Sequence, residues 1–163
     1  MSEIVVYHGA TQMVQTPLCK AGRPNLDFGK GFYVTDLRSQ AVEWALRVAR
    51  NRQEKPVLNC YLLKREKFIN EGRALIFEKY DEKWLRFIVA SRSEMNPAQD
   101  YDYIEGGVAN DRVIDSINLY MQGLMTLETT LARLSQHQPN NQICLRNQML
   151  TDKYLKYDGT ELL

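Results

Sequence analysis

Cysteine is scarce in this chain, with Cys19, Cys60 and Cys144 the three in 163 residues. An odd number with no close spacing argues against a disulfide framework and against a clustered zinc site, and it suits a reducing compartment. Long apolar runs are missing as well, and nothing approaches the roughly 20 consecutive apolar residues that span a bilayer. The opening Met1-Ser2-Glu3 has neither the basic segment nor the apolar run of a secretory signal, so a cytoplasmic protein without a membrane anchor is expected. Charge of one sign is not in excess either. The 21 basic and 20 acidic residues are interspersed and leave a net charge of +1, which excludes the whole-chain field of a general nucleic-acid binder. Internal repeats and Pro/Gly/Ser linkers are absent, and the length suits one domain over residues 1–163.

What is present reads as an ordinary globular composition, 44% hydrophobic and 25% charged. Ile4 to Tyr7 is a β-branched and aromatic run closed by His8-Gly9, which predicts a first strand ending in a turn. Residues 10–30 carry Pro17, Gly22, Pro24 and Gly29 without a period and predict a long loop. Loops of more than about 12–15 residues are often functional in compact domains. Gly31 to Thr35 follows as a short strand. Asp36 to Ser39 supplies caps for a helix over Ser39 to Arg52, with Val42, Ala45, Leu46 and Ala49 on its apolar stripe and Arg47, Arg50 and Arg52 in solvent.

Further along, Val57 to Leu63 predicts a strand, and Phe68 to Tyr80 is ambiguous between helix and strand. Asp81 to Ser91 predicts a helix docked in the core through Trp84, Leu85, Phe87 and Ile88. Tyr101 to Glu105 is a strand candidate stopped by Gly106-Gly107. Asp111 to Leu134 has apolar residues at three- and four-residue steps, giving one helix or a pair around Gly123. Gln142 to Arg146 predicts a strand in which Cys144 points opposite Ile143 and Leu145, and Lys153 to Lys156 a last strand before Asp158-Gly159. His137 falls in a polar loop. Strands at both ends with helices gathered between them predict an α+β domain in which the terminal strand pairs with early ones.

Single residues say little about chemistry here. His8 at a strand end beside Gly9 can face a cleft that the glycine leaves open. Equally, a histidine can be satisfied inside a core, and Tyr33 in a strand can simply pack. Asp27-Phe28-Gly29-Lys30-Gly31 turns sharply but lacks the spacing of a phosphate loop.

Taken in order, Tyr7-His8-Gly9, then Asp27 to Thr35, then Gln40-Ala41 with Trp44-Ala45, Tyr101 to Asp111 and finally Asn141 to Arg146 resemble DUF3990. This is a bacterial family of unknown function related to the ADP-ribosyltransferases. The resemblance runs from Val5 to about Leu155. It implies an ADP-ribosyltransferase-like fold, with split, mostly antiparallel sheets and helices inserted between early and late strands. It further implies a His, Tyr, Glu constellation for NAD⁺, which is the substrate, with no metal required.

By that resemblance His8 binds the adenine-side ribose, Tyr33 stacks on nicotinamide, and Gly9, Phe32 and Thr35 complete the cofactor-binding set. Pro139 to Leu145 matches the third strand, so Gln142 stands where the acid is expected. Cleaving the bond between nicotinamide and ribose builds positive charge on the sugar. A glutamine can hydrogen-bond there but supplies no countercharge, a departure that could cost about 10²–10³ in rate. Three readings stay open. Another acid, Glu105 or Asp111, enters the site; Gln142 supports a slow transfer; or NAD⁺ is bound without turnover.

The activity that the resemblance implies is transfer of ADP-ribose to a protein or nucleic acid, as a bacterial toxin or phage-defence effector with a possible antitoxin partner. The alternatives are a catalytically silent NAD-binding or protein-interaction module, and an NAD glycohydrolase.

Overall fold

A computed structural model describes residues 3–21, 26–136 and 140–163. Gly22, Pro24, His137 and Pro139 lie outside the described residues. The architecture is α+β, with seven strands in two sheets and six α-helices among the described residues.

The first sheet joins β1 (Ile4–Ala10), β3 (Val57–Leu63) and β7 (Leu155–Leu162), all antiparallel, with β3 central. The second runs in the order β2 (Phe32–Val34), β6 (Gln142–Leu145), β5 (Tyr103–Gly106) and β4 (Ala74–Ile76), antiparallel except for the β4–β5 pair. The late strands therefore pair with early ones in both sheets, as the distribution of strands along the sequence predicts. The sheets touch where Tyr7 and Thr35 exchange backbone hydrogen bonds of 2.8 and 3.0 Å.

Alternation along the strands of the second sheet builds two cores. Phe32, Val34, Tyr103, Ile143 and Leu145 face the first sheet and pack with its Val6, Tyr61, Leu63 and Leu155. Helices α2 (Arg65–Glu71) and α6 (Gln148–Tyr154) close this layer with Phe68, Leu150 and Tyr154. Ile104 and Cys144 face the other way, where α3 (Glu82–Arg92), α4 (Asp111–Met121) and α5 (Leu127–Leu134) bring Trp84, Leu85, Ile88, Val113, Ile117 and Leu134. Cys144 is thus buried opposite Ile143 and Leu145, as alternation predicts, and burial pushes its thiol up to about 12. Gly123 sits at φ +75° between α4 and α5, the left-handed turn that splits the expected helix into a pair.

Several elements differ from their sequence reading. β1 does not stop at Tyr7 but continues through His8 and Gly9, which pair with Asn59 and Leu58 of β3. Helix α1 (Arg38–Arg52) starts at Leu37 with no side-chain cap, and its buried stripe is Ala41, Ala45 and Ala49, while Leu46 is exposed. The alanines are selected because the helix lies close against β1. The ambiguous stretch resolves into part of α2 followed by β4. Helix α6, capped by the Asn147 side chain on the Leu150 amide, takes Lys153 and Tyr154 from the strand expected over Lys153 to Lys156, which begins at Leu155. β7 then runs through Asp158-Gly159, because a bulge opposite Cys60 and Tyr61 absorbs the extra residue and Gly159 takes φ +127°.

Candidate functional site

β1 and β2 diverge on the far side of the Tyr7–Thr35 bridge, and one side chain spans the gap. His8 lies on the inner face of β1 with its ring 4.4 Å from that of Phe32, and its Nδ1 is 2.7 Å from the Tyr33 carbonyl oxygen. A carbonyl can only accept, so Nδ1 carries the proton. The neutral ring then presents a bare Nε2, which has no hydrogen-bond partner among the described residues. Burial holds the imidazole below its ordinary value of 6.5, with the Tyr33 carbonyl pulling the other way. The resting form is therefore neutral, with an acceptor nitrogen to offer.

Tyr33 points to the opposite side of β2. Its ring is half-buried against the second core, and its hydroxyl donates to the Gly29 carbonyl while accepting the Phe28 amide at 3.1 Å. The hydroxyl thus fastens the Asp27–Gly31 turn, where Gly29 takes φ +81°. Arg92 at the end of α3 holds the same turn through Asp27 at 3.1 Å.

Gln142 opens β6. By alternation it shares a face with Cys144, and Cys144 lies across from Tyr33 in the β2–β6 register. Tyr33 and Gln142 thus share one face of the second sheet, and the Gln142 carboxamide is 3.5 Å from the Gly107 carbonyl. Thr35 joins this end of the sheet through its hydroxyl, which donates to the Asn141 carbonyl at 2.7 Å.

Glu105 does not join them. It pairs with Ile143 and so projects from the other face, where Arg65 Nε meets its carboxylate at 2.8 Å and the Tyr103 hydroxyl donates to the same oxygen. Asn141 Nδ2 lies 3.5 Å from the second oxygen of Glu105 and 3.2 Å from Asp36. Glu105, Arg65, Asn141 and Asp36 line a cleft of about 430 Å³ at the ends of β2, β4 and β5, walled by Leu37 and Ile76 and rimmed by Glu78 and Asn140. Arg65, Asn141 and Asp36 escape sequence reasoning because their meeting depends on three strands ending at one level.

The remaining two positions behave differently from expectation. Gly9 does not leave a cleft open: a Cβ there would lie 2.2 Å from the Ala41 carbonyl and 2.9 Å from the Ala45 amide, so its missing side chain admits α1. Asp111 is the first residue of α4, after Asn110, whose side chain caps the helix on the Val113 amide; the Asp111 side chain lies outside what the structure describes. Among the described residues, no group of three or more His, Cys, Asp and Glu side chains could hold a metal ion, and no helix is long and apolar enough to cross a membrane.

A family model described as a protein of unknown function, DUF3990, matches residues 4–157. No curated protein and no solved structure matches the chain.

Proposed function

This chain belongs to the DUF3990 family, and we propose that it binds NAD⁺ across the gap between β1 and β2 and transfers ADP-ribose to a macromolecular acceptor. An ADP-ribosyltransferase-like fold is part of the same reading, supported by the two split sheets with late strands paired to early ones. So is a role as a bacterial toxin or phage-defence effector held by an antitoxin.

The observation that carries it is the His8–Tyr33 contact. Two residues 25 apart in sequence meet at the split, and the bond to the Tyr33 carbonyl leaves Nε2 as a fixed acceptor for a ribose hydroxyl. The part-exposed Tyr33 ring offers a flat surface to nicotinamide, and Gln142 on the same face offers its carboxamide to the second ribose. Orientation of the dinucleotide by these groups would supply most of the catalysis. Glu105, ion-paired to Arg65, lies on the opposite face of the second sheet from Tyr33 and Gln142, the face that also carries Phe32 against the His8 ring. The reading that follows is a slow transferase working with Gln142, in which Gln142→Glu restores the missing countercharge and speeds nicotinamide release.

The test is incubation of the purified protein with NAD⁺ labelled in its ADP-ribose and cell lysate, followed by nuclease or protease treatment of the labelled product. Label on a macromolecule, abolished by His8→Ala, is expected. NAD⁺ should also raise thermal stability, by about 2.7 kcal/mol at a hundredfold excess over Kd. Free ADP-ribose as the sole product would mark a glycohydrolase, and binding without nicotinamide release a silent module. No shift in melting temperature and no release at millimolar NAD⁺ would overturn the proposal.

A further inference from the structure

We infer that Gln40 is a positioning residue for the third motif, its carboxamide standing in for a missing strand neighbour of Asn141, immediately before Gln142. The inference rests on the NAD⁺ reading above and adds to it a residue outside the His, Tyr and Gln set.

Were β2 to continue in register beyond Val34, which pairs with Ile143, Thr35 would face Gln142 and Asp36 would face Asn141. The chain does not continue that way. The β2–β6 ladder ends at Val34–Ile143, Thr35 pairs on its other side with Tyr7 at 3.0 and 2.8 Å, and the Asn141 amide and carbonyl do not bond Asp36. The leading end of β6 is left without a backbone partner on that side, although an unpaired peptide group away from water costs free energy comparable to a lost hydrogen bond.

Gln40, in the first turn of α1, fills the position. Its Nε2 donates to the Asn141 carbonyl at 2.7 Å and its Oε1 accepts the Asn141 amide at 3.2 Å. A primary carboxamide has the donor and acceptor of a peptide group, so the pair reproduces what an adjacent strand would have made. Thr35 adds a second donor to the same carbonyl, and its hydroxyl also accepts the Leu37 amide at 3.1 Å.

Two consequences follow from the placement. Asn141 is held from α1 while Gln142, one residue on, enters the β6 ladder opposite Gly106, so the direction of the Gln142 side chain depends on how Asn141 is fixed. The Asn141 side chain in turn reaches Asp36 and Glu105, so one backbone clamp sets both faces of the sheet end. A displacement of about 1 Å in a positioning contact can cost 10²-fold in rate. Gln40 touches neither Gln142 nor the proposed NAD⁺ groups among its described hydrogen bonds, so its effect should appear in turnover and not in affinity.

The experiment compares wild type with Gln40→Ala and Gln40→Glu by nicotinamide release, NAD⁺ affinity and amide hydrogen exchange at Asn141. Glutamate keeps the acceptor for the amide and loses the donor to the carbonyl. Should Gln40→Ala fail to fold, Gln40→Glu carries the test alone. The expected result for Gln40→Ala is a kcat lower by about tenfold or more with KM within a few-fold, together with faster exchange at Asn141, and a smaller loss for Gln40→Glu. Faster exchange with kcat unchanged would make Gln40 a structural brace and overturn the inference. A wild type that neither binds nor cleaves NAD⁺ would instead overturn the function itself, and the inference with it.

Discussion

His8 shows how a single proton can serve the fold and the proposed chemistry together. Its imidazole sits below 6.5 because burial penalises the charged ring, so the folded protein binds the proton less readily than the unfolded chain does. Above about pH 7.5 both forms are neutral and this group leaves stability independent of pH. As pH falls through 6.5 the unfolded chain takes the proton first, and stability declines until the lowered folded value is reached. Urea unfolding from pH 8 to 5 should show this decline in wild type and less of it in His8→Asn, whose amide can still donate to the Tyr33 carbonyl. Identical profiles would mean that His8 is not held neutral by the fold. NAD⁺ affinity should weaken only at the lower end of this window and below it, as pH falls through the lowered folded value, because protonation there removes the Nε2 lone pair. Tyr33 presents the complementary case, since its hydroxyl is spent on the Phe28–Gly29 turn and its ring is what remains for a ligand.

Among elements, α1 has the most stringent geometry. The buried alanines repeat every four residues along one face, and Gly9 beneath them has no Cβ, so helix and strand approach more closely than any larger pair would allow. Gly9→Ala should therefore act as an overpacking substitution, costing about 1–3 kcal/mol through displacement of α1. Denaturant midpoints at unchanged m-value are the measure, and a change below about 0.5 kcal/mol would show slack between β1 and α1. Because α1 also carries Gln40, the same substitution should speed amide exchange at Asn141. The missed helix α6 teaches a different lesson. Its seven residues are too few for a 3.6-residue period to show, and its stability comes from the Asn147 cap and from burying Leu150, Thr151 and Tyr154.

At the scale of the molecule, the two sheets are joined by a shared core more than by hydrogen bonds. The Tyr7–Thr35 bridge is the backbone seam between them among the described residues, whereas Val6, Tyr61 and Leu63 of one sheet pack directly with Phe32, Tyr103 and Leu145 of the other. Neither sheet can lose its inner face without exposing that of its neighbour. Urea unfolding followed by tryptophan fluorescence and by far-ultraviolet circular dichroism should accordingly give one coincident transition. Trp84 reports the second core and circular dichroism both sheets, so separated midpoints would show two cooperative units and contradict the expectation of one domain.

Local pattern determined a good deal here. The β-branched and aromatic run placed β1, the stretch rich in Val, Leu and Tyr placed β3, the dense apolar stretch from Asp81 placed α3, and alternation placed Cys144 opposite its neighbours, because each of these is settled by residues a few positions apart. The order of the motifs pointed to DUF3990, and the family model matches over residues 4–157. What the sequence left undecided depended on contacts between distant segments. Gly9 read as an opening until α1 was laid against it, and Glu105 read as a possible companion of Gln142 until the register put them on opposite faces. Gln40 was one letter of a motif until the β2–β6 ladder ended at Val34 and left the backbone that its carboxamide clasps. A strand's alternation is written in its own residues, but which strand lies beside it, and where that pairing ends, is decided only when the whole chain packs.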